Sequence, residues 1–504
     1  MKPSYYLTTP IYYVNDKPHI GHAYTTLACD ALARFKRLDG FDVMFLTGTD
    51  EHGQKVQKSA EQKGIDPKAF TDEVSQNFRD LTSTLDFTND DFIRTTEERH
   101  YHACQKLWST LLAEGDIYLD SYAGWYAVRD EAFYAESEIK DGKAPSGAPV
   151  EWVEEPSYFF RLSAYQDRLL EFYENNPDFV APKSRFNEVK SFVSGGLNDL
   201  SVSRASFSWG VPVPDDERHV MYVWLDALTN YMTAVGYGQE NGDADYARRW
   251  PADLHMVGKD ILRFHAVYWP AFLMAAKLPL PKRVFAHGWW TNEGQKISKS
   301  LGNVIDPVEL ADRYGLDQMR YFLLREVPFG NDGDFSHSAM VHRMNGDLAN
   351  DLGNLCQRVL SMIFKNCDAT MPACPATLED ADTSLLNRVD GMLERQRAHY
   401  DNQLFHEALK DAWDIVGEAN RYVDEMAPWS LRKTDLERMA AVLWVLAETI
   451  RQVALVIQPV MPTAAAAILD QLRIPEDERG FAMLGAGNRL AGATPLDKPT
   501  PVFP

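Results

Sequence analysis

At 504 residues the chain is too long for one core and predicts about three or four compact units of roughly 100 to 200 residues each. Its 45% hydrophobic, 25% charged and 12% aromatic content is that of an ordered protein and excludes a disordered chain. A formal charge of −22 opposes nucleic acid at long range, yet leaves room for a local basic face that binds phosphates.

Residues 4 to 9, SYYLTT, read as a short strand. From Ile20, the apolar positions Tyr24, Leu27, Ala28, Ala31, Leu32, Phe35 and Leu38 follow a helical period that Gly40 closes. DVMFLTGTDEHG (42–53) then reads as a buried strand entering a loop. Strand, helix, strand opens a doubly wound parallel sheet, in which ligands bind beyond the C-terminal strand edges. Between about 115 and 215, aromatic segments punctuated by Gly and Pro predict an insertion of short strands and turns. Strand and helix signals return at 219–232, 252–276 and 282–291, as the expected second half of the same sheet. After about 340, amphipathic patterns predict a bundle of at least four helices. Over 347–366, Leu348, Leu352, Leu355, Val359 and Ile363 form the apolar stripe, which leaves Asn354 and Arg358 exposed.

Five cysteines (Cys29, Cys104, Cys356, Cys367, Cys374) are odd in number and form no Cys-x-x-Cys pair, against both a disulfide framework and a structural zinc site. The N-terminal MKPSYYLTTP lacks a signal-peptide core, and the most apolar stretch, Met439 to Ile468, is interrupted by Glu448, Arg451 and Gln452. A membrane span tolerates such residues poorly, so a cytoplasmic protein with no membrane partner is expected.

Two short motifs stand out. His19-Ile20-Gly21-His22 lies at the first strand-to-helix junction. The pair offers only two of the ligands a metal needs, and a lone His-x-x-His is usually two solvated or core-satisfied residues. A helix N-terminus, however, supplies unpaired N–H groups and a positive dipole end for phosphate, with Gly21 leaving room for it. Far downstream, NEGQKISKSLGN (292–303) places Lys296 and Lys299 in a loop flanked by glycines. Alone this is a solvated mobile loop; beside a nucleotide cradle it becomes a cationic arm that closes on polyphosphate.

Together and in this order, the two motifs resemble the signature pair of the class I aminoacyl-tRNA synthetases. Longer stretches, TTPIYYVNDKPHIGH, GTDEHG, YVWLDALTNY, GKDILRFHAVYWPA, HGWW, KISKS, LGNLCQR and ANRYVDEMAPW, resemble the methionyl-tRNA synthetase family along nearly the whole chain. The resemblance implies an α/β fold: a doubly wound, Rossmann-type parallel sheet, split by an inserted connective domain and followed by an all-α anticodon-binding bundle. Its implied boundaries are 1–115 and 218–292 for the two catalytic halves, 116–217 for the insertion, 293–345 for the KISKS loop and stem-contact region, and 346–504 for the bundle.

The implied reaction activates L-methionine with ATP, releases pyrophosphate, and transfers the methionyl group to the terminal adenosine of tRNA(Met), initiator included, with a CAU anticodon. By the same resemblance, Ile11, Tyr13, Trp224, Ala227, Tyr231, Ile261 and His265 line the methionine pocket, and Asp50 pairs with the substrate ammonium. Tyr12, His19, Gly21, His22, Gly258, Asp260, Lys296, Ser298 and Lys299 are implied to bind ATP with its Mg2+. Among these, His19, His22, Lys296 and Lys299 are the implied catalytic groups. Asn354, Arg358 and Trp429 are implied to read the anticodon, by hydrogen bonding and stacking on unstacked bases.

One departure stands out. Many relatives carry zinc knuckles in the insertion, but here Ala127 and Asp130 occupy the positions of two cysteines, so no structural zinc is expected. The insertion is expected to hold by packing and hydrogen bonds, through Arg129 and neighbouring carboxylates. With no further tRNA-binding domain after the bundle, a monomer is expected. Three other readings compete: a ligase for another aliphatic amino acid, a silent tRNA-binding paralogue, and a small-molecule nucleotidyltransferase. Intact His19, His22, Asp50, Lys296 and Lys299 count against the second, and the Asn354, Arg358 and Trp429 face against the third.

Overall fold

Six strands build the main sheet: β1 (Ser4–Tyr13), β2 (Asp42–Asp50), β3 (Asp91–Arg94), β4 (Val180–Ala181), β5 (Leu254–Gly258) and β6 (Val284–His287). Their spatial order is β3-β2-β1-β5-β6-β4, and β2 with β3, β1 with β5, β5 with β6 and β6 with β4 pair in parallel. The computed structural model describes residues 2–14, 17–129, 132–134, 136–297 and 302–503. They divide into two units, one of Ser4–Cys29 and Val43–His287, the other of Met1–Pro3, Asp30–Asp42 and Gly288–Pro504.

In the first unit, Tyr6 to Pro10 and Val43 to Asp50 are buried without interruption, as strands covered on both faces require. A side chain at Gly48 would meet the Ile93 carbonyl oxygen at 2.0 Å, so only glycine lets β2 and β3 approach. Helix α1 (Ile20–Leu38) follows β1, and α2 (Glu98–Ala113) packs against α3 (Val223–Thr233). The strand order reverses between β1 and β5, and a crevice at such a reversal is where ligands bind. Tyr13 and Gly258, the ends of these strands, mark the place.

Two expectations need correction. The strand Asp216–Met221 does not join the parallel sheet but pairs antiparallel with Pro212–Val213 and Ser203–Arg204. Conversely, Val180–Ala181, within the expected insertion, supplies edge strand β4 beside β6. A two-residue strand carries no readable periodicity. The insertion also carries an antiparallel sheet of Ile117–Ala127, Ala132–Tyr134, Glu151–Phe160 and Leu200–Ser201, and the helices Gln166–Asn175 and Lys183–Ser194. Ala127 packs with Ala144 and Ala148 in a small apolar cluster. Arg129 donates to the Ser146 carbonyl at 2.7 Å and hydroxyl at 3.1 Å, while Asp130 and Glu131 lie outside the described residues.

In the second unit, Glu293 and Gly294 take positive φ (52° and 75°) and close a two-residue hairpin. Gln295–Lys296 thereby pairs with Trp290–Asn292, so Lys296 stands on a hairpin strand where a loop was expected. Ser298 and Lys299 lie outside the described residues. Helix α4 (Asn354–Asn366) continues a π-helix, Met344–Gly353, whose wide turns free backbone carbonyls. Those of Asp347 and Asp351 accept Trp413 Nε1 at 2.9 Å and Asn420 Nδ2 at 3.2 Å from α5 (Phe405–Met426). The predicted stripe from Leu348 to Ile363 is buried.

Helix α6 (Leu436–Ile457) is long and apolar enough to cross a membrane, but 94% of its most apolar window is buried within the protein. Its polar residues bind the tail of the chain. Glu448 pairs with Arg451 at 2.7 Å and accepts the Leu490 N–H at 3.0 Å. Arg451 donates to the Met483 carbonyl, Gln452 accepts the Gly485 N–H, and the Trp444 indole donates to the Leu490 carbonyl.

Candidate active site

His19 and His22 meet at the N-terminus of α1, their ring centroids 4.0 Å apart. The Gly21 N–H reaches His19 Nδ1 at 3.1 Å, and the His19 N–H reaches His22 Nδ1 at 3.1 Å. A ring nitrogen that accepts leaves the ring proton on the other, so both imidazoles carry it on Nε2. Burial lowers the pKa of His19; burial, then the neighbouring His19, takes His22 well below its usual value. The pair therefore presents neutral N–H donors at a helix N-terminus, where an anion is favoured. The Tyr12 hydroxyl, hydrogen-bonded to Thr26 at 2.7 Å, anchors this turn, and its ring meets His22 edge-on. That side chain is committed inside, 8% exposed.

Across the strand reversal, Gly258 ends β5 and exposed Asp260 follows, with its carboxylate 2.5 Å from where a Gly258 Cβ would stand. Beyond it, His265 donates Nδ1–H to the Ile261 carbonyl at 3.0 Å, so its Nε2 accepts the Tyr231 hydroxyl at 2.7 Å. Burial brings the His265 pKa down to about 4 and raises that of Tyr231, which makes a neutral dyad. Trp224, Ala227 and Tyr231 share one face of α3 by their spacing of three and four. Trp224 stacks on Phe264 at 3.4 Å, and Ile11, Trp224 and Ile261 pack on the core that holds Tyr231. Tyr13 instead joins Tyr12, Val56 and Phe78, because it is the last residue of β1, where the chain turns away. Asp50 closes β2, 7% exposed, and its carbonyl accepts the Val14 N–H at 3.1 Å, which ties the ends of β1 and β2 together.

In the second unit, exposed Asn354 lies one turn before Arg358 on α4. Arg358 pairs with Asp424 at 2.6 Å and stands 5.6 Å from the ring of Trp429, itself 40% exposed. Amide, guanidinium and indole thus share one surface.

Residues 5–149 and 143–360 match the family model for tRNA synthetases class I (M), and residues 371–503 that for the anticodon binding domain of methionyl tRNA ligase. Methionine–tRNA ligase of Brucella suis biovar 1 (strain 1330) is 58% identical over 508 residues, 100% of this chain and 98% of the relative. The chain belongs to the methionine–tRNA ligase family. The methionine–tRNA ligase of Rickettsia conorii is 56% identical over 100% of this chain and 99% of its own. A solved Mycobacterium tuberculosis methionyl-tRNA synthetase in complex with methionyl-adenylate is 54% identical with a TM-score of 0.96, and covers 100% of both chains. The apo form of that enzyme gives 52% and 0.90, over 100% of this chain and 98% of its own. A Rossmann-type sheet followed by a helical anticodon domain is the fold the family shares with this chain.

Several residues in the first unit had no role assigned from sequence. In the loop after β2, Glu51 holds Arg94 at 2.7 and 2.9 Å, and His52 Nδ1 reaches Asp226 Oδ2 at 2.6 Å. The other Asp226 oxygen takes His100 Nε2 at 2.7 Å. Burial alone would raise the Asp226 pKa, but the two histidines overrule it and hold the carboxyl at about 2. His52 and Asp226 sit in stretches already quoted for the family, yet 174 positions separate them, too far for any local pattern. Among the described residues, His100, Cys104 and Asp226 also form a group of potential metal ligands within 4.8 Å. Their 2.7 Å imidazole-to-carboxylate contact is a hydrogen bond, whereas two ligands of one tetrahedral zinc stand roughly 3.3 Å apart.

The buried histidine makes stability depend on pH. His265 titrates at about 4 when folded and 6.5 when unfolded, so below pH 6.5 the unfolded chain binds a proton that the folded chain refuses. Its contribution is full above 6.5 and declines by about 3 kcal/mol as pH falls towards 4. Denaturant unfolding of wild type and His265→Gln should converge across that window; a constant gap would contradict a neutral buried imidazole.

Proposed function

We propose that this chain is a cytoplasmic, monomeric methionine–tRNA ligase that uses the magnesium complex of ATP. What carries the reading is the neutral histidine pair at the start of α1, at the same strand reversal as the cluster around Tyr231 and His265. The methionine carboxylate attacks the α-phosphorus in line; an oxygen–phosphorus bond forms, and the bond to pyrophosphate breaks. No side-chain nucleophile takes part, so catalysis is positioning plus electrostatic stabilisation. His19 and His22 donate to the phosphates, Gly21 and Gly258 leave room for the nucleotide, and Asp260 approaches the ribose. Lys296 and Lys299, with Ser298 between them, neutralise the leaving pyrophosphate. Asp50 receives the methionine ammonium. The hydroxyl of the terminal adenosine of tRNA(Met), initiator included, then attacks the adenylate carbonyl and AMP leaves.

Ile11, Trp224, Ala227, Tyr231, Ile261 and His265 suit a thioether, since aromatic edges favour sulfur. Tyr13, which packs on the adjoining Tyr12, Val56 and Phe78 cluster at the end of β1, borders that pocket. The apolar Ala127 cluster in place of cysteines supports an insertion that needs no zinc. Methionine-dependent pyrophosphate exchange tests the activation step; exchange with leucine and not with methionine would overturn the reading. Sedimentation of a stable dimer would overturn the monomer.

Asn354, Arg358 and Trp429 form the proposed anticodon surface. Base stacking on an aromatic side chain is worth about 1–3 kcal/mol. Trp429→Ala is therefore expected to raise the KM for tRNA by about 5- to 150-fold in aminoacylation and to leave pyrophosphate exchange unchanged. Equal loss in both assays would remove the anticodon role.

A further inference from the structure

We propose that Asp226 is a positioning residue for methionine: it clamps α3 so that the Trp224, Ala227 and Tyr231 face stands at a fixed distance from Asp50. The inference rests on the pocket reading above. Asp226 leaves α3 well round the helix from that face and touches none of the pocket side chains in the contacts described. Its two oxygens are taken by histidines from two other elements, His52 at 2.6 Å and His100 at 2.7 Å. His52 lies two positions beyond Asp50, and His100 lies on α2.

Both rings are fixed from behind as well. His52 Nε2 stands 3.1 Å from the Tyr101 hydroxyl, and His100 Nδ1 stands 3.1 Å from the Thr233 hydroxyl, on α3 itself. The β2 loop, α2 and α3 therefore close a ring of hydrogen bonds around one carboxylate. All three central side chains are buried, at 2%, 0% and 1% exposure for His52, His100 and Asp226.

Stability alone does not explain such a cluster, because apolar side chains of equal volume commonly hold a fold as well as a buried charged group does. What the carboxylate adds is direction. Two hydrogen bonds from one carboxylate set the rotation and height of α3 against the end of β2 that carries Asp50. That is the distance between the ammonium partner and the thioether wall, and errors near 1 Å in such placements cost about 100-fold in rate.

The test compares KM for methionine and for ATP in pyrophosphate exchange. His52 donates through Nδ1, which Asn mimics, and His100 through Nε2, which Gln mimics. Asp226→Asn, His52→Leu and His100→Leu are expected to raise the methionine KM by about 10- to 100-fold, with the ATP KM within about twofold. His52→Asn and His100→Gln are expected to stay within about threefold of wild type. Amide and leucine variants that behave alike, or methionine and ATP constants that rise together, would overturn the clamp. If a leucine variant fails to fold, Thr233→Val loosens His100 by one hydroxyl only, and an unchanged methionine KM there would overturn it too. Asp50→Ala and Tyr231→Ala run in parallel. If these raise the methionine KM and Asp226→Asn does not, the clamp alone falls; if none does, the pocket reading falls and takes the clamp with it.

Discussion

Asp50→Ala is expected to raise the methionine KM in pyrophosphate exchange by about 30-fold or more and to leave the ATP KM near its wild-type value. Truncating one partner of a buried, hydrogen-bonded charge pair costs about 2–5 kcal/mol. Asp50 meets the conditions for a cost in that range, since it is 7% exposed and ends β2 just before a loop held by Glu51–Arg94 and His52–Asp226. A carboxylate on so rigid a support cannot be replaced by water without loss of orientation. Asp50→Asn keeps the shape and removes the charge, so it should fall between wild type and alanine. A methionine KM unchanged in both variants would remove the ammonium role.

His22→Ala is expected to lower kcat for adenylate formation by about 100- to 1000-fold, the usual cost of deleting one preorganised donor to a developing charge. Methionine binding, measured at equilibrium without ATP, should not change. The tautomer sharpens the expectation. Because Nδ1 accepts the His19 N–H, the donor is Nε2, and His22→Gln can place an amide N–H near that position. Partial rescue by glutamine but not by asparagine would follow. Since burial and His19 keep the ring neutral, kcat should not rise as pH drops from 8 to 6 through protonation of His22. Such a rise would identify the charged imidazolium as the working form.

The strand, helix, strand opening and its two histidines were legible because β1 and β2 are short continuous apolar runs and α1 between them keeps a period of 3.6 residues. The stripe from Leu348 to Ile363 was legible for the same reason. What escaped was set by partners far apart in the chain. Nothing in the HVMYVWLDALTNYM stretch says that Asp226 meets His52 and His100, or that Tyr231 donates to His265. The π-helices at Phe264–Tyr268 and Met344–Gly353 escaped too, since one extra residue per turn leaves the apolar pattern nearly intact. Local turn chemistry, by contrast, is written in Asn292-Glu293-Gly294: a glycine at the second loop position readily takes the positive φ that a two-residue hairpin needs, and Lys296 sits on that hairpin.

The tail that meets α6 has a consequence for truncated chains. Residues 483–490 supply the backbone partners of Trp444, Glu448, Arg451 and Gln452. A premature stop before residue 480 would leave a 22-residue apolar helix with its ionic groups half satisfied. A ribosome that terminates early near the end of this message would thus release a chain that keeps every strand of the main sheet and lacks four of the hydrogen bonds that satisfy the polar groups of α6.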